Sequence, residues 1–326
     1  MAVSPIGRRL GCFLIRDCAQ MNRVGWNSTV ENNQSGCHKS DHVAEAEIRK
    51  HIKNMNFAPI SHYFKPALQQ AYRDELTHSQ FVLETIANIG NVALAERPAL
   101  LILIMTDVIR KLTRHESAFF DCGTFPWITD VEKLYPSIVD EVEVALDNSE
   151  VIPAFQEIQK EQEEITCDEK WKVVLFKGYG EDIDKNLDLF PKTAQLLNHI
   201  PGWTTGMFSI LLPGKEIPAH VGPYAGVLRY HLGLKIPDNC GISVRGEVRT
   251  WQEGKSLVFD DSFEHFAWNR SGKKRVVLFV DFLRPLPFPL NLLNEWVVLE
   301  VMNNSDFIRG LVDNLHKYKA LHELLN

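Results

Sequence analysis

The sequence predicts an α+β protein: a helical first half, a core of short strands and a helical tail. Three observations predict it. Apolar residues recur at helical spacing over much of the stretch from Ala44 to about residue 165. From Trp171 to Phe282 the pattern changes to short strand-like runs separated by Gly and Pro, which suits a β-sandwich or barrel. Pro285, Pro287 and Pro289 then interrupt the chain before a last helical stretch.

Residues 1–45 are rich in Asn, Ser, Gly and Cys without periodicity, and read as a flexible leader. Arg8, Arg9 and Arg16 precede the first acid, Asp17, a faint likeness to a transit peptide, and the apolar region of a secretory signal is missing. A helical region is expected over 46–165. Phe81, Leu83, Ile86, Ile89 and Val92 recur at roughly helical spacing, and Pro66 and Pro98 suit helix starts. Thr129, with Glu132 three residues on, is expected to open a further helix as a capping box, its apolar face formed by Val131, Leu134, Ile138, Val142 and Leu146. The strand-rich domain is expected over 166–287. It begins with the run Trp171 to Phe176 and a short amphipathic helix from Phe190 to Ile200. Runs at 203–212, 226–235, 240–245, 247–251, 256–260, 265–268 and 275–282 follow. A helical extension, 288–326, completes the chain.

Bulk properties narrow the function classes. Hydrophobic residues at 45% and charged residues at 24% are those of a globular protein able to bury a core. A formal net charge of -7 argues against a nucleic-acid backbone as the main partner, which needs a concentrated basic surface. Cys12, Cys18, Cys37, Cys122, Cys167 and Cys240 are scattered, without CxxC or zinc-like spacing. They read as free thiols of a reducing, cytoplasmic compartment. The longest uncharged apolar run, Pro98 to Thr106, is far shorter than the roughly 20 residues of a spanning helix, so a buried helix is expected and no transmembrane segment.

The chemistry concentrates between Phe208 and Pro285, where ionisable residues sit among strand-like apolar ones. His220 and His265 are candidate ligands of a ferrous ion, 45 residues apart, with room between them for several antiparallel strands. Non-haem iron sites usually add a carboxylate to two histidines, yet Gly222 stands where a His-x-Asp/Glu motif would place it. Arg229 and His231 share one face of a strand at period two. Arg275 follows His265 by ten residues, placed to clamp an anion from the next strand. Gly214, Gly226, Gly233 and Gly254 are expected at turns or bulges, and Trp251 and Trp268 as core or pocket walls.

These residues fall in lines that resemble the aspartyl/asparaginyl β-hydroxylase family of 2-oxoglutarate dioxygenases. The matching lines are Phe208-Ser209 before Leu212-Pro213-Gly214; His220-x-Gly222-Pro223; Leu228-Arg229-x-His231-Leu232-Gly233-Leu234; and Trp251-x-x-Gly254. Phe259 through His265 to Trp268, then Arg275, Asp281 and Pro285, complete them, over about a third of the chain. The resemblance implies a double-stranded β-helix, a cupin-like jelly roll, using Fe(II), 2-oxoglutarate and molecular oxygen. It makes His220 and His265 the iron ligands, puts Ser209 and Arg275 on the distal carboxylate of 2-oxoglutarate, and puts Arg229 and His231 near its metal-binding end. It accounts for Gly222, since eukaryotic members use two protein ligands with water in the acid's place, and it gives Asp261 the part of orienting that water. A bacterial branch, the lipid A acyl-chain hydroxylases, shares the line from Pro223 to Leu234 but carries an acid where Gly222 stands. The substrate is therefore open between an aspartyl or asparaginyl side chain, a free amino acid and an acyl chain. A catalytically silent jelly-roll binding module is the alternative from another class.

Overall fold

Eight strands, shared between two facing antiparallel sheets, build the core of the described structure. They are β4 (Trp203–Leu211), β5 (Lys215–His220), β6 (Val227–Lys235), β7 (Cys240–Val244), β8 (Glu247–Arg249), β9 (Ser256–Phe259), β10 (His265–Asn269) and β11 (Arg275–Leu283). Before them come β1 (Phe119–Phe120), β2 (Trp171–Gly178) and β3 (Glu181–Asp182). This is a computed structural model describing residues 97–113, 117–158, 166–178 and 181–302, all within one compact unit that spans Ile52–Asn326. The expected leader, the helical pattern before residue 97 and the tail beyond residue 302 lie outside the described residues.

The larger sheet runs β1-β9-β6-β11-β4-β2-β3 and the smaller one β5-β10-β7-β8. From β4 to β11 the chain thus passes back and forth between two sheets, the double-stranded β-helix. β11 is central to the larger sheet, flanked by β4 and β6, and buried along nearly all its length. That is why Arg275-Val-Val-Leu-Phe-Val-Asp-Phe-Leu283 reads as an almost continuous apolar run rather than an alternating one.

The larger sheet has a core on each face. Phe208, Ile210, Leu228, Tyr230, Leu232, Leu278 and Val280 point outward onto helices. Those helices are α2 (Trp127–Asp147), which contributes Ile128, Val131, Ile138 and Val142, and α5 (Pro191–Leu197), which contributes Leu196 and Leu197. Two short helices, α3 (Phe155–Ile158) and α4 (Asp184–Leu189), precede α5. Met207, Leu211, Val277 and Phe279 point inward, meeting Ile217, Ile242, Val244 and Ala267 of the smaller sheet. Each fully buried side chain of this size contributes about 1.5–3 kcal/mol. A third cluster joins α1 (Arg97–Leu112), residues Tyr224 to Val227 and the C-terminal helix α6 (Leu290–Trp296) with the π-helical turn Val297–Met302. The apolar run Pro98 to Thr106 lies in α1, where Leu100, Ile102, Leu103 and Met105 are buried. Among the described residues no helix is long and apolar enough to cross a membrane.

The structure departs from the sequence expectations at particular places. The helix expected to start at Thr129 begins at Trp127, after Pro126, with no side-chain cap. Glu132 does not fold back on its own helix. It accepts hydrogen bonds from the Ser256 amide (3.0 Å) and Lys255 Nζ (2.9 Å), tying α2 to β9. β5 was not expected, because Lys, Glu and Pro interrupt its apolar signal; it is an edge strand, where Pro218 costs no internal ladder bond. Gly214 lies at φ 73° in the turn joining β4 to β5. The run at 247–251 shortens to Glu247–Arg249 and leaves Trp251 beyond the strand end.

Candidate active site

β5 and β10 are antiparallel neighbours, and their register sets His220 directly opposite His265. Paired residues of an antiparallel ladder project to the same face. The two imidazole centroids are 4.1 Å apart, with the rings inclined by 50°. Each ring is oriented by a main-chain carbonyl two residues earlier: His220 Nδ1 lies 2.8 Å from Pro218 O, and His265 Nδ1 lies 2.9 Å from Phe263 O. A carbonyl only accepts, so each Nδ1 carries the proton and each Nε2 keeps a lone pair. His265 is buried; His220 is partly open to solvent on one side while crowded on the others. Burial pushes the His220 pKa down to about 4, helped by the Arg229 charge. Burial, His220 and Arg229 hold His265 well below the ordinary range. Two neutral imidazoles with lone pairs exposed and Nδ1 anchored are the donor set of a metal centre.

Gly222 follows two residues after His220. A Cβ there would stand 2.2 Å from Asp261 Oδ2 and 2.6 Å from its Cγ. The Asp261 carboxylate thus fills the place that a side chain at 222 would take. It is almost fully buried; Oδ2 pairs with Arg229 at 2.8 Å and Oδ1 has no hydrogen-bond partner. Burial raises its pKa to about 7 against the pull of Arg229. Among the described residues, no group of three His, Cys, Asp or Glu side chains converges as a closed metal cage.

The remaining candidates line the inward face of the larger sheet. Arg229 is gripped by Asp281 through Nε (2.8 Å) and an Nη (3.0 Å), pairs with Asp261, and lies 4.1 Å over the Phe279 ring. His231 is buried two residues on; its Nδ1 is 3.2 Å from Trp251 Nε1, and its Nε2 has no partner. Burial, then Arg275 and Arg229, keep its pKa well below the ordinary value. Ser209 of β4 accepts a hydrogen bond from Trp171 Nε1 at 3.0 Å. Arg275 is 2% exposed, donates to the Ser209 carbonyl at 3.3 Å and lies 4.6 Å over Trp251, while its Nε has no partner. No carboxylate pairs with it among the described residues, and burial pushes its pKa down to about 9. A guanidinium buried without an acid is costly, and an anion beside it would offset that cost.

All seven sequence candidates thus lie at one end or along one wall of the same barrel. Two residues that hold them directly were given no role in the sequence reading, Asp281 on Arg229 and Trp171 on Ser209. The signal for Asp281 was available, since it shares a sheet face with Arg275 at period two. The indole contacts had no sequence signal.

Fold and site together define the class: a double-stranded β-helix with a facing histidine pair and a buried arginine that no carboxylate pairs with among the described residues. The comparisons with known proteins agree. A family model described as aspartyl/asparaginyl beta-hydroxylase matches residues 132–285. The chain is 45% identical over 201 residues to an ornithine lipid ester-linked acyl 2-hydroxylase of Rhizobium tropici, covering 61% of this chain and 71% of that protein. It is 44% identical over 102 residues to the human aspartyl/asparaginyl beta-hydroxylase, covering 29% of this chain and 13% of that protein. It is 35% identical over 127 residues to the human aspartate beta-hydroxylase domain-containing protein 2, 36% of this chain and 34% of that one. The chain belongs to the aspartyl/asparaginyl β-hydroxylase family, and is a hydroxylase by that membership. It spans most of the rhizobial relative but only a small part of the human β-hydroxylase.

Proposed function

We propose that this protein is an iron(II)- and 2-oxoglutarate-dependent hydroxylase of unactivated C–H bonds. The observation that carries the reading is the pairing of His220 and His265, lone pairs uncommitted, in the same barrel as a buried Arg275 that lacks an acid. When bound, iron(II) with 2-oxoglutarate would supply the oxidising chemistry with molecular oxygen. The protein's part is binding, orientation and exclusion of water. His220 and His265 would hold the metal, their Nδ1 atoms fixed by Pro218 and Phe263. Arg275 and Ser209 would hold the distal carboxylate, and His231 and Arg229 would face the metal-binding end. Asp261, anchored by Arg229 beside Gly222, would orient a water in the place of a third ligand. The free thiols at Cys122, Cys167 and Cys240 support a reducing, cytoplasmic setting.

For the acceptor, the extent of the likeness favours an acyl chain. Identity to the acyl 2-hydroxylase runs over 201 residues, twice the span shared with the human β-hydroxylase. The family description favours the second reading, the β-carbon of an aspartyl or asparaginyl residue. The test is succinate release from 2-oxoglutarate with added iron(II), offered an ester-linked acyl lipid or an aspartyl peptide, with product masses read in parallel. A gain of one oxygen on the acyl chain is expected. No 2-oxoglutarate binding and no turnover with either acceptor would favour a silent binding module.

A further inference from the structure

We propose that Trp251 is a positioning residue that fixes His231 as a hydrogen-bond donor, its Nε2–H held ready for an anionic ligand. The inference rests on the reading of this pocket as the 2-oxoglutarate site. An indole N–H can only donate. Trp251 Nε1 meets His231 Nδ1 at 3.2 Å, so Nδ1 must be the acceptor and the proton of the neutral ring must sit on Nε2. That Nε2 is buried and has no partner in the protein. Trp171 Nε1 meets Ser209 Oγ at 3.0 Å, which occupies one of its two lone pairs and leaves its own proton to donate. Among the described residues this is the only hydrogen bond of that hydroxyl.

The Trp251 N–H acts on a side chain that would otherwise be ambivalent. An imidazole exchanges its donor and acceptor atoms with its tautomer. Arg275 adds its unpartnered Nε–H, and it lies on the face of the same Trp251. Trp251 therefore touches two groups of the pocket at once, one through its N–H and one through its ring. Its N–H also opposes a proton on His231 Nδ1, so the ring stays uncharged beside two guanidiniums. Neither indole is free to swing: Trp251 is 3% and Trp171 6% exposed, and Trp171 packs edge-on to Phe155 at 4.7 Å. His231 Nε2–H and Arg275 Nε–H are thus two buried donors without a protein acceptor, both attached to groups that Trp251 touches, and that polarity suits an anionic ligand.

The test begins with the unaltered full-length protein, labelled with nitrogen-15 at histidine. His231 is expected to show the Nε2–H tautomer at neutral pH; an Nδ1–H or doubly protonated ring would overturn the proposal without any variant. Trp251→Phe keeps an aromatic face for Arg275 but removes the N–H. It is expected to mix the His231 tautomers and raise the KM for 2-oxoglutarate about tenfold, with kcat and cobalt(II) affinity little changed. Unchanged tautomer and KM in Trp251→Phe would overturn the proposal. If the unaltered protein showed the Nε2–H tautomer yet bound no 2-oxoglutarate, the ligand reading would fall while the tautomer assignment stood.

Discussion

Asp261 and Gly222 share one space: the carboxylate of the first lies where a side chain on the second would have to go, and the Gly222 amide donates to the Asp261 carbonyl at 2.8 Å. An acid at 222 and an acid at 261 are therefore mutually exclusive in this packing. Gly222→Asp is expected to destabilise the fold by about 1–3 kcal/mol through overpacking and to weaken cobalt(II) binding rather than strengthen it. The double variant Gly222→Asp/Asp261→Gly should recover most of both, because the space is vacated. Thermal unfolding and metal titration of the three proteins check this. A single Gly222→Asp variant as stable as the parent, with tighter metal binding, would show that the two residues do not compete.

His265 begins β10, opposite His220 in register, and its ring is held by the Phe263 carbonyl. His265→Ala removes one of only two converging imidazoles, while the strand keeps its partners on both sides, β5 and β7. Iron(II) binding and hydroxylation are expected to be lost together, with the far-ultraviolet circular dichroism of the sheets retained. Full activity in this variant would disprove the ligand assignment.

Arg275 sets stability against binding. Its charge is buried beside Trp251 and the Ser209 carbonyl, with no acid to balance it among the described residues. Arg275→Met is expected to raise the melting temperature of the ligand-free protein, since a buried unpaired cation gives way to an apolar chain of similar length. The same change should weaken 2-oxoglutarate by about 10- to 100-fold, from the roughly 1.5–3 kcal/mol of a charge-assisted hydrogen bond. Thermal shift with and without 2-oxoglutarate reads both effects in one experiment, because a ligand that binds only the native state stabilises it.

Much of this architecture was legible in the sequence, and the reasons are physical. β6 and β11 stand out because both their faces are buried, so apolar residues crowd them with few polar interruptions. The histidines and arginines of the site were found because charged residues are rare in such strands and family-like lines surround them. β5 was hidden because an edge strand alternates and tolerates Lys215, Glu216 and Pro218. Thr129 misled because the capping-box pattern describes a helix in isolation, whereas Glu132 answers to Ser256 on a strand more than a hundred residues away. The same limit concealed Trp171 and Trp251, whose work depends on which way a ring nitrogen points, something no spacing encodes.

Glu132 also predicts a pH effect. Burial alone would raise its pKa, but hydrogen bonds from Lys255 and Ser256 outweigh it and lower the value below the ordinary 4.5. A carboxylate depressed in the folded state contributes stability above its unfolded pKa and loses it as the pH falls through the folded one. The melting temperature of the unaltered protein should therefore fall as the pH drops below about 4.5, and more steeply than in Glu132→Gln. Identical acid limbs in the two proteins would mean that the α2–β9 link carries no protonation energy.

Arg284, just past β11, closes the far side of the loop that bears Asp261. Its guanidinium pairs with Asp260, both side chains nearly fully buried, and its Nε donates to the Ala225 carbonyl at 2.8 Å. Asp260 Oδ1 in turn accepts from the Ser262 amide at 3.0 Å, while Arg110 of α1 donates to the Ser262 carbonyl. The segment between β9 and β10 is thus pinned from two directions, immediately before His265. Arg284→Met strands the Asp260 carboxylate in the interior and is expected to cost about 3–5 kcal/mol. Asp260→Asn/Arg284→Met should cost less than the sum of its single changes, because no charge is then left unpaired. Cobalt(II) affinity should fall with the Arg284 change, as Asp261 and His265 lose the frame that orients them. Strictly additive stabilities, or an untouched metal affinity in Arg284→Met, would mean that the pair holds neither the loop nor the site.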